Sequence, residues 1–347
     1  MPLPHGVTGH PPAVVPPGDT DDPVAEPVPD RPPATPPATP PHTATGRLAG
    51  AVLVALVLAV LVAWLVSRSG GGGAGHLGYG EAVLLGLVEG VTEWLPISST
   101  GHLTVTQDLL GIRGEAADSY IVVIQAGAIL AVLGLYHERF ATMLRGLCGH
   151  DPVGRRTLGA VLVACLPAAV VGLLLEDTIK ERLFGPWPVV AAWCAGGVAI
   201  LATTGRRPER PQGSGITLST LGWRTAGVIG LAQTLALWPG VSRSLVTILA
   251  ATAAGLTLPA AVEFSFLVGF VILGGATLHE LTTSGPEILA AYSLGVPLAG
   301  LVVAFVAAVV GMRWMVGYLD THSFAVFGWY RLAAGATVAV LLVTHVL

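Results

Sequence analysis

The chain has 347 residues, of which 53% are hydrophobic and only 11% charged. That is too little charge to cover the surface of a soluble globule, so the bilayer has to act as the solvent for most of it. The formal net charge of -4 is small and no basic patch marks a nucleic-acid surface, so the expected partners are bilayer lipids and not nucleic acid.

Residues 1–46 hold 15 of the 26 prolines and few large apolar side chains, which predicts a disordered tail. Leu48 to Val66 is an uncharged apolar run of 19 residues, just long enough at ~1.5 Å per residue to cross a hydrocarbon layer of ~30 Å. It reads as a spanning helix and not as a cleaved signal peptide, being too long and too far from Met1. Ser69 to Gly75 is a glycine-rich linker, so residues 47–79 form an added helix and its tether.

Residues 80–347 read as the membrane-embedded domain. Six runs are long enough to span: about 120–136, 157–175, 187–204, 262–278, 291–311 and 324–347. Two further apolar stretches, 82–110 and 224–256, are interrupted by Leu95-Pro96-Ile97-Ser98-Ser99-Thr100-Gly101 and by Trp238-Pro239-Gly240-Val241-Ser242-Arg243-Ser244. Each half of these is too short to cross, which predicts re-entrant helix-loop-helix hairpins. Shifted by 144 residues, the two stretches match at Gly86 and Gly230, Leu87 and Leu231, Trp94 and Trp238, and Ser98 and Ser242, with Glu89 opposite Gln233 and Thr100 opposite Ser244. Each hairpin is followed by three spanning runs, so the expected fold is an all-α inverted repeat with halves at about 80–205 and 222–347.

Arg139, Arg145, Arg155 and Arg156 fall in one loop and Arg206, Arg207 and Arg210 in another, which places both in the cytoplasm. By parity the first hairpin then opens to the outer side and the second to the inner side, with the tail cytoplasmic and the C-terminus outside. Cys148, Cys165 and Cys194 lack metal-ligand spacing and are expected as packing residues.

Polar groups inside these hairpins are the candidates for chemistry, because a charge at the bilayer centre costs ~2.5–3.5 kcal/mol on insertion scales. Glu89 and Glu93, at i and i+4, share a helix face. They can hold a divalent cation, accept a proton, or form a bonded or solvated pair in a transport cavity. Ser99 followed by His102 at a helix start can pair a nucleophile with a proton-transfer group, although hydroxyl residues also cap helices and a lone histidine is often structural. Arg243, flanked by Ser242 and Ser244, offers a phosphate clamp, or a side chain that snorkels to headgroups.

The run Glu89-Gly90-Val91-Thr92-Glu93-Trp94-Leu95-Pro96-Ile97-Ser98-Ser99-Thr100-Gly101-His102, with the later Trp238 to Ser244 segment, resembles the two signatures of the undecaprenyl-diphosphatase family, known for bacitracin resistance. Val122-Val123-Ile124-Gln125 and Glu263-Phe264-Ser265-Phe266 extend the resemblance, which covers roughly residues 80–347. It implies a multi-pass enzyme of the bacterial plasma membrane, its site facing outward, that hydrolyses undecaprenyl diphosphate to the monophosphate and renews the lipid carrier for peptidoglycan. Carried over by position, Ser99 is the expected nucleophile with Thr100 beside it and His102 the acid or base. Glu89 and Glu93 are expected to support Mg2+ or Ca2+ or proton transfer, and Arg243 with Ser242 and Ser244 to bind phosphate.

Three features depart from the family pattern: Leu245 stands where glycine is usual, no proline follows Phe266 through Leu273, and residues 1–79 have no counterpart. A lipid-phosphate transporter or flippase on the same scaffold is the rival reading, and the absence of any need for a nucleophile in transport separates the two. Oligomeric state stays open, a homodimer included.

Overall fold

The computed structural model describes residues 77–112, 114–204 and 215–347. The expectations for the tail, the 48–66 helix, the glycine linker and the loop carrying Arg206, Arg207 and Arg210 lie outside the described residues.

Within them the chain is helical throughout, with one isolated bridge between Ile216 and Leu256. In order come α1 (Tyr79–Thr92), α2 (Ser99–Leu110), α3 (Glu115–Leu135), α4 (His137–Leu147), α5 (Pro152–Leu183) and α6 (Pro186–Thr204). Then follow α7 (Trp223–Gln233), α8 (Arg243–Ala253), α9 (Leu258–Thr283), α10 (Gly285–Ala291), α11 (Gly295–Leu319) and α12 (Ala325–Val343). Six of the described helices are long and apolar enough to cross a bilayer: α3, α5, α6, α9, α11 and α12. They are the six expected spans, with boundaries set by local chemistry. Asp151 caps α5 by accepting from the Gly154 N–H at 2.9 Å, with Pro152 at the first turn, and Thr257 caps α9 ahead of Pro259. The α9 helix runs unbroken through Leu267 to Leu273, as the missing proline leads one to expect.

Two short helices were not anticipated. The arginine-bearing loop after the first span folds as the amphipathic α4, and α10 precedes the fifth span. Cys148 is also corrected as a packing residue: it is exposed just beyond α4, while Cys165 is buried and Cys194 partly so. Large apolar side chains such as Leu173 (79% exposed) and Leu174 (76%) face outward from α5, as a hydrocarbon solvent permits.

The interrupted stretches form helix pairs α1–α2 and α7–α8, of 14, 12, 11 and 11 residues. At ~1.5 Å per residue none reaches across ~30 Å. Their placement depends on glycine. A Cβ at Gly86 or Gly90 would run into the carbonyls of Gly300 or Ala304 on α11, and one at Gly230 would lie 2.5 Å from the Ala164 carbonyl on α5. Thus α1 lies against α11 and α7 against α5, backbone close to backbone, the packing available where lipid supplies no hydrophobic drive. Helix α9 has a polar tie near each end: Ser119 on α3 donates to Glu280 at 2.6 Å, and Arg139 on α4 pairs with Glu263.

Substituting Gly86→Leu should therefore separate α1 from α11. Overpacking of this kind costs ~1–3 kcal/mol, and it should appear as a lower thermal unfolding temperature in detergent. An unchanged transition would show that this backbone approach does not support the fold.

Candidate active site

The break after α1 begins at Glu93, still helical, and Pro96 then removes the donor that would continue the turn. Ser98 sits at φ 72°, in the left-handed region that non-glycine residues rarely occupy. It caps α2 by accepting from the Gly101 N–H at 3.4 Å. The second hairpin repeats this device. Ser242, at φ 76°, caps α8 by accepting from the Leu245 N–H at 3.3 Å. Strain of ~1–3 kcal/mol at each of two matching positions points to a site held for function.

The strained caps flank a cavity of about 160 Å³. Its polar wall carries Glu93, Ser99, Thr100, Gln125, Gln233 and Arg243, and its apolar wall includes Ala168, Leu237, Ile272 and Leu273. Ser99 Oγ donates a short hydrogen bond to Glu93 Oε2, and Arg243 Nη2 donates to Glu93 Oε1 at 3.0 Å. One carboxylate therefore joins the hydroxyl of one hairpin to the guanidinium of the other. Arg243 is held in turn by the Ser265 carbonyl at 2.7 Å and by the face of Trp94, 4.8 Å from the ring centroid. A Cβ at Gly269 would occupy the space of its guanidinium, so the helix opposite is cut away to admit it. Arg243 does not snorkel; its side chain is only 11% exposed.

The other site candidates divide between the cavity wall and the interior. Glu89 is fully buried, outside the cavity lining, with both carboxylate oxygens lacking a hydrogen-bond partner. Ser244 lies outside the cavity lining: its hydroxyl donates to the Leu95 carbonyl at 2.9 Å, tying the hairpins together. Ser242 lines the cavity, bonded to Ser244 at 3.0 Å. His102 does not reach Ser99. Its Nδ1 lies 2.7 Å from the Ser98 carbonyl and its Nε2 2.7 Å from the Tyr330 hydroxyl, so both ring nitrogens are engaged. Leu245 turns into the apolar core, 2% exposed, and lies outside the cavity lining.

Sequence reasoning missed Tyr330 and Arg331 on α12. Arg331 is fully buried and donates to the carbonyls of Ala192 (2.9 Å), Gly240 (2.8 Å), Pro96 (3.3 Å) and Trp193 (3.4 Å). The signal was present, since a lone arginine in the 324–347 run carries the same insertion cost that singled out Arg243. Among the described residues no group of three or more His, Cys, Asp or Glu side chains could hold a metal ion. The two carboxylate oxygens of Glu89, buried and unpartnered, are donors of the kind a hard divalent cation takes.

Removing one partner of a buried ion pair leaves the other charge uncompensated, at ~3–5 kcal/mol. Glu93→Leu and Arg243→Met are each expected to lower the thermal unfolding temperature in detergent, and the double variant to recover much of the loss. Additive losses in that cycle would mean the pair is not coupled.

Residues 82–337 match the family described as bacitracin resistance protein BacA. An undecaprenyl-diphosphatase of Sorangium cellulosum is 44% identical over 259 residues, covering 74% of this chain and 84% of that protein. Undecaprenyl-diphosphatase 1 of Paraburkholderia xenovorans is also 44% identical over 259 residues, covering 92% of its length, and the undecaprenyl-diphosphatase of Parvibaculum lavamentivorans is 41% identical over 256 residues, covering 94%. With six apolar spanning-length helices and a family match over most of its length, this multi-pass membrane chain belongs to the bacitracin resistance protein BacA family.

Proposed function

We propose that the protein hydrolyses undecaprenyl diphosphate to undecaprenyl phosphate and inorganic phosphate, renewing the lipid carrier for peptidoglycan and conferring bacitracin resistance. The observation that carries this reading is the Ser99–Glu93–Arg243 constellation, which puts a hydroxyl, a proton acceptor and a fixed cation on one cavity. The activity in the names of the relatives supports it.

In the proposed mechanism Ser99 Oγ attacks the terminal phosphorus while its proton passes to Glu93 Oε2. The bond from that phosphorus to the bridging oxygen breaks, and the lipid monophosphate leaves with the proton from Glu93. A water molecule then attacks the phosphoserine and gives its proton to Glu93; the bond from phosphorus to Ser99 Oγ breaks, Glu93 returns the proton to Oγ, and inorganic phosphate leaves. Arg243 holds the terminal phosphate through the N–H groups not used on Glu93 and Ser265, neutralising charge as it spreads over the phosphoryl oxygens. Thr100, exposed on the cavity wall, and Ser242 supply further hydroxyl donors. His102 holds the loop through the Ser98 carbonyl in place of the expected acid or base role. Glu89 would hold a divalent cation, Mg2+ or Ca2+, which supplies charge neutralisation when bound. The apolar wall of Ala168, Leu237, Ile272 and Leu273 suits the start of a prenyl chain.

The two halves are proposed to be inverted copies. Ser98 and Ser242 share the same strained cap, and α1 lies on α11 as α7 lies on α5. The basic residues at one end, Arg139, Arg145, Arg155 and Arg156, favour a site open to the outer side of the plasma membrane.

Phosphate release from undecaprenyl diphosphate in detergent tests the reading. Wild type with Mg2+ or Ca2+ should be active and Ser99→Ala should lose at least ~10³-fold in kcat, whereas a lipid transporter would keep moving lipid in the same variant. An active Ser99→Ala protein would exclude the nucleophile assignment. Excess chelator should also lower the rate, and full activity in its presence would remove the cation from the mechanism.

A further inference from the structure

Arg331 takes no step in the chemistry above, yet it is the most deeply committed cation among the described residues. It forms no ion pair there, and its hydrogen bonds go to main-chain carbonyls of three separate segments. Pro96 belongs to the first hairpin tip, Gly240 to the second, and Ala192 and Trp193 to α6. Ser99 follows Pro96 by three residues, and Arg243 follows Gly240 by three. A planar, rigid guanidinium bonded to both tips therefore sets where the two functional side chains begin.

A second arm starts from the next residue. The Tyr330 hydroxyl donates to His102 Nε2, and His102 Nδ1–H donates to the carbonyl of Ser98, the residue before Ser99. The surroundings are shaped to admit this brace. A Cβ at Gly196 would overlap the Arg331 guanidinium, and one at Gly101 would meet the Trp193 ring at 2.7 Å. Burying a cation without a counter-ion is costly where an apolar side chain of similar volume would pack more cheaply. Stability alone does not account for an arginine here.

We infer that Arg331 is a positioning residue, with Tyr330 and His102 as its second arm, fixing the distance between the hairpin tips and hence the alignment of Ser99 and Arg243 on the terminal phosphate. This rests on the phosphatase reading given above. The tips come from different parts of the chain, and α12, which belongs to neither hairpin, hydrogen-bonds through Arg331 to a carbonyl of each.

The test is steady-state phosphate release from undecaprenyl diphosphate by wild type, Arg331→Ala, Arg331→Lys and Tyr330→Phe in detergent, with thermal unfolding measured alongside. A misplacement of ~1 Å costs ~10²-fold, so Arg331→Ala should lose about 100-fold in kcat with KM within about twofold of wild type. Lysine should recover part of the loss, and added methylguanidinium should recover part of it in Arg331→Ala but none in Ser99→Ala. A folded Arg331→Ala protein with wild-type kcat would overturn the inference. So would a joint collapse of kcat, KM and thermal stability with no rescue, which is the signature of a merely structural residue. If the alanine variant does not fold, unchanged kcat in both Arg331→Lys and Tyr330→Phe overturns it, and lowered kcat at constant KM in either supports it. Wild type that releases no phosphate would instead remove the phosphatase reading.

Discussion

The carboxylate of Glu93 is the group on which the site depends. It accepts from Ser99 at the start of α2 and from Arg243 at the start of α8, so one acid joins two hairpins that have no covalent connection nearby. Without it Arg243 would keep only the Ser265 carbonyl and the Trp94 face in an apolar interior, and Ser99 would lose its proton acceptor. The same contact is thus a folding constraint and a chemical arrangement. That overlap explains why so much polarity survives in a chain of this composition: each charged group at depth has either a partner or a place beside the cavity, Glu89 excepted.

Much of the architecture was legible because the bilayer restricts what a chain can do. Runs of uninterrupted apolar residues became helices long enough to span, and runs broken by Pro96 or by Pro239 and Gly240 became pairs of helices each too short to cross. What composition could not convey was direction. Spacing put His102 three residues after Ser99, yet the helical turn carries its ring toward Tyr330, a residue 228 positions away. Ser244 looked like a second hydroxyl at a phosphate site, but on α8 it faces Leu95 and joins the hairpins. Leu245 looked like an intrusion, and the same helical rotation sends it into the core. The α4 helix was hidden because its amphipathic pattern lies in a stretch read only for its arginines.

The offset of 144 residues relates more than the caps. Ser99 and Arg243 are themselves separated by that interval, each the first residue of its helix after a strained serine. On the proposed inverted repeat they are equivalent positions that carry opposite roles, a nucleophile in one half and a cation in the other. Glu89 and Gln233 are equivalent in the same way, so the negative charge stays with the first half. Divergence of this kind needs the halves to meet, because neither position makes a complete site alone.

Such a meeting is hard to hold with apolar packing, which tolerates sliding along a helix. Backbone carbonyls at the two tips are fixed points, and a planar donor group contacting several of them removes the freedom to slide. The glycines serve the same end from the opposite side. Gly269 admits the Arg243 guanidinium and Gly196 admits that of Arg331, each by presenting bare helix backbone where any Cβ would intrude. On the proposed mechanism the two arginines divide the work between them: the one lining the cavity offers phosphate the N–H groups not used on Glu93 and Ser265, while the other, bonded wholly to carbonyls, keeps the tips in place.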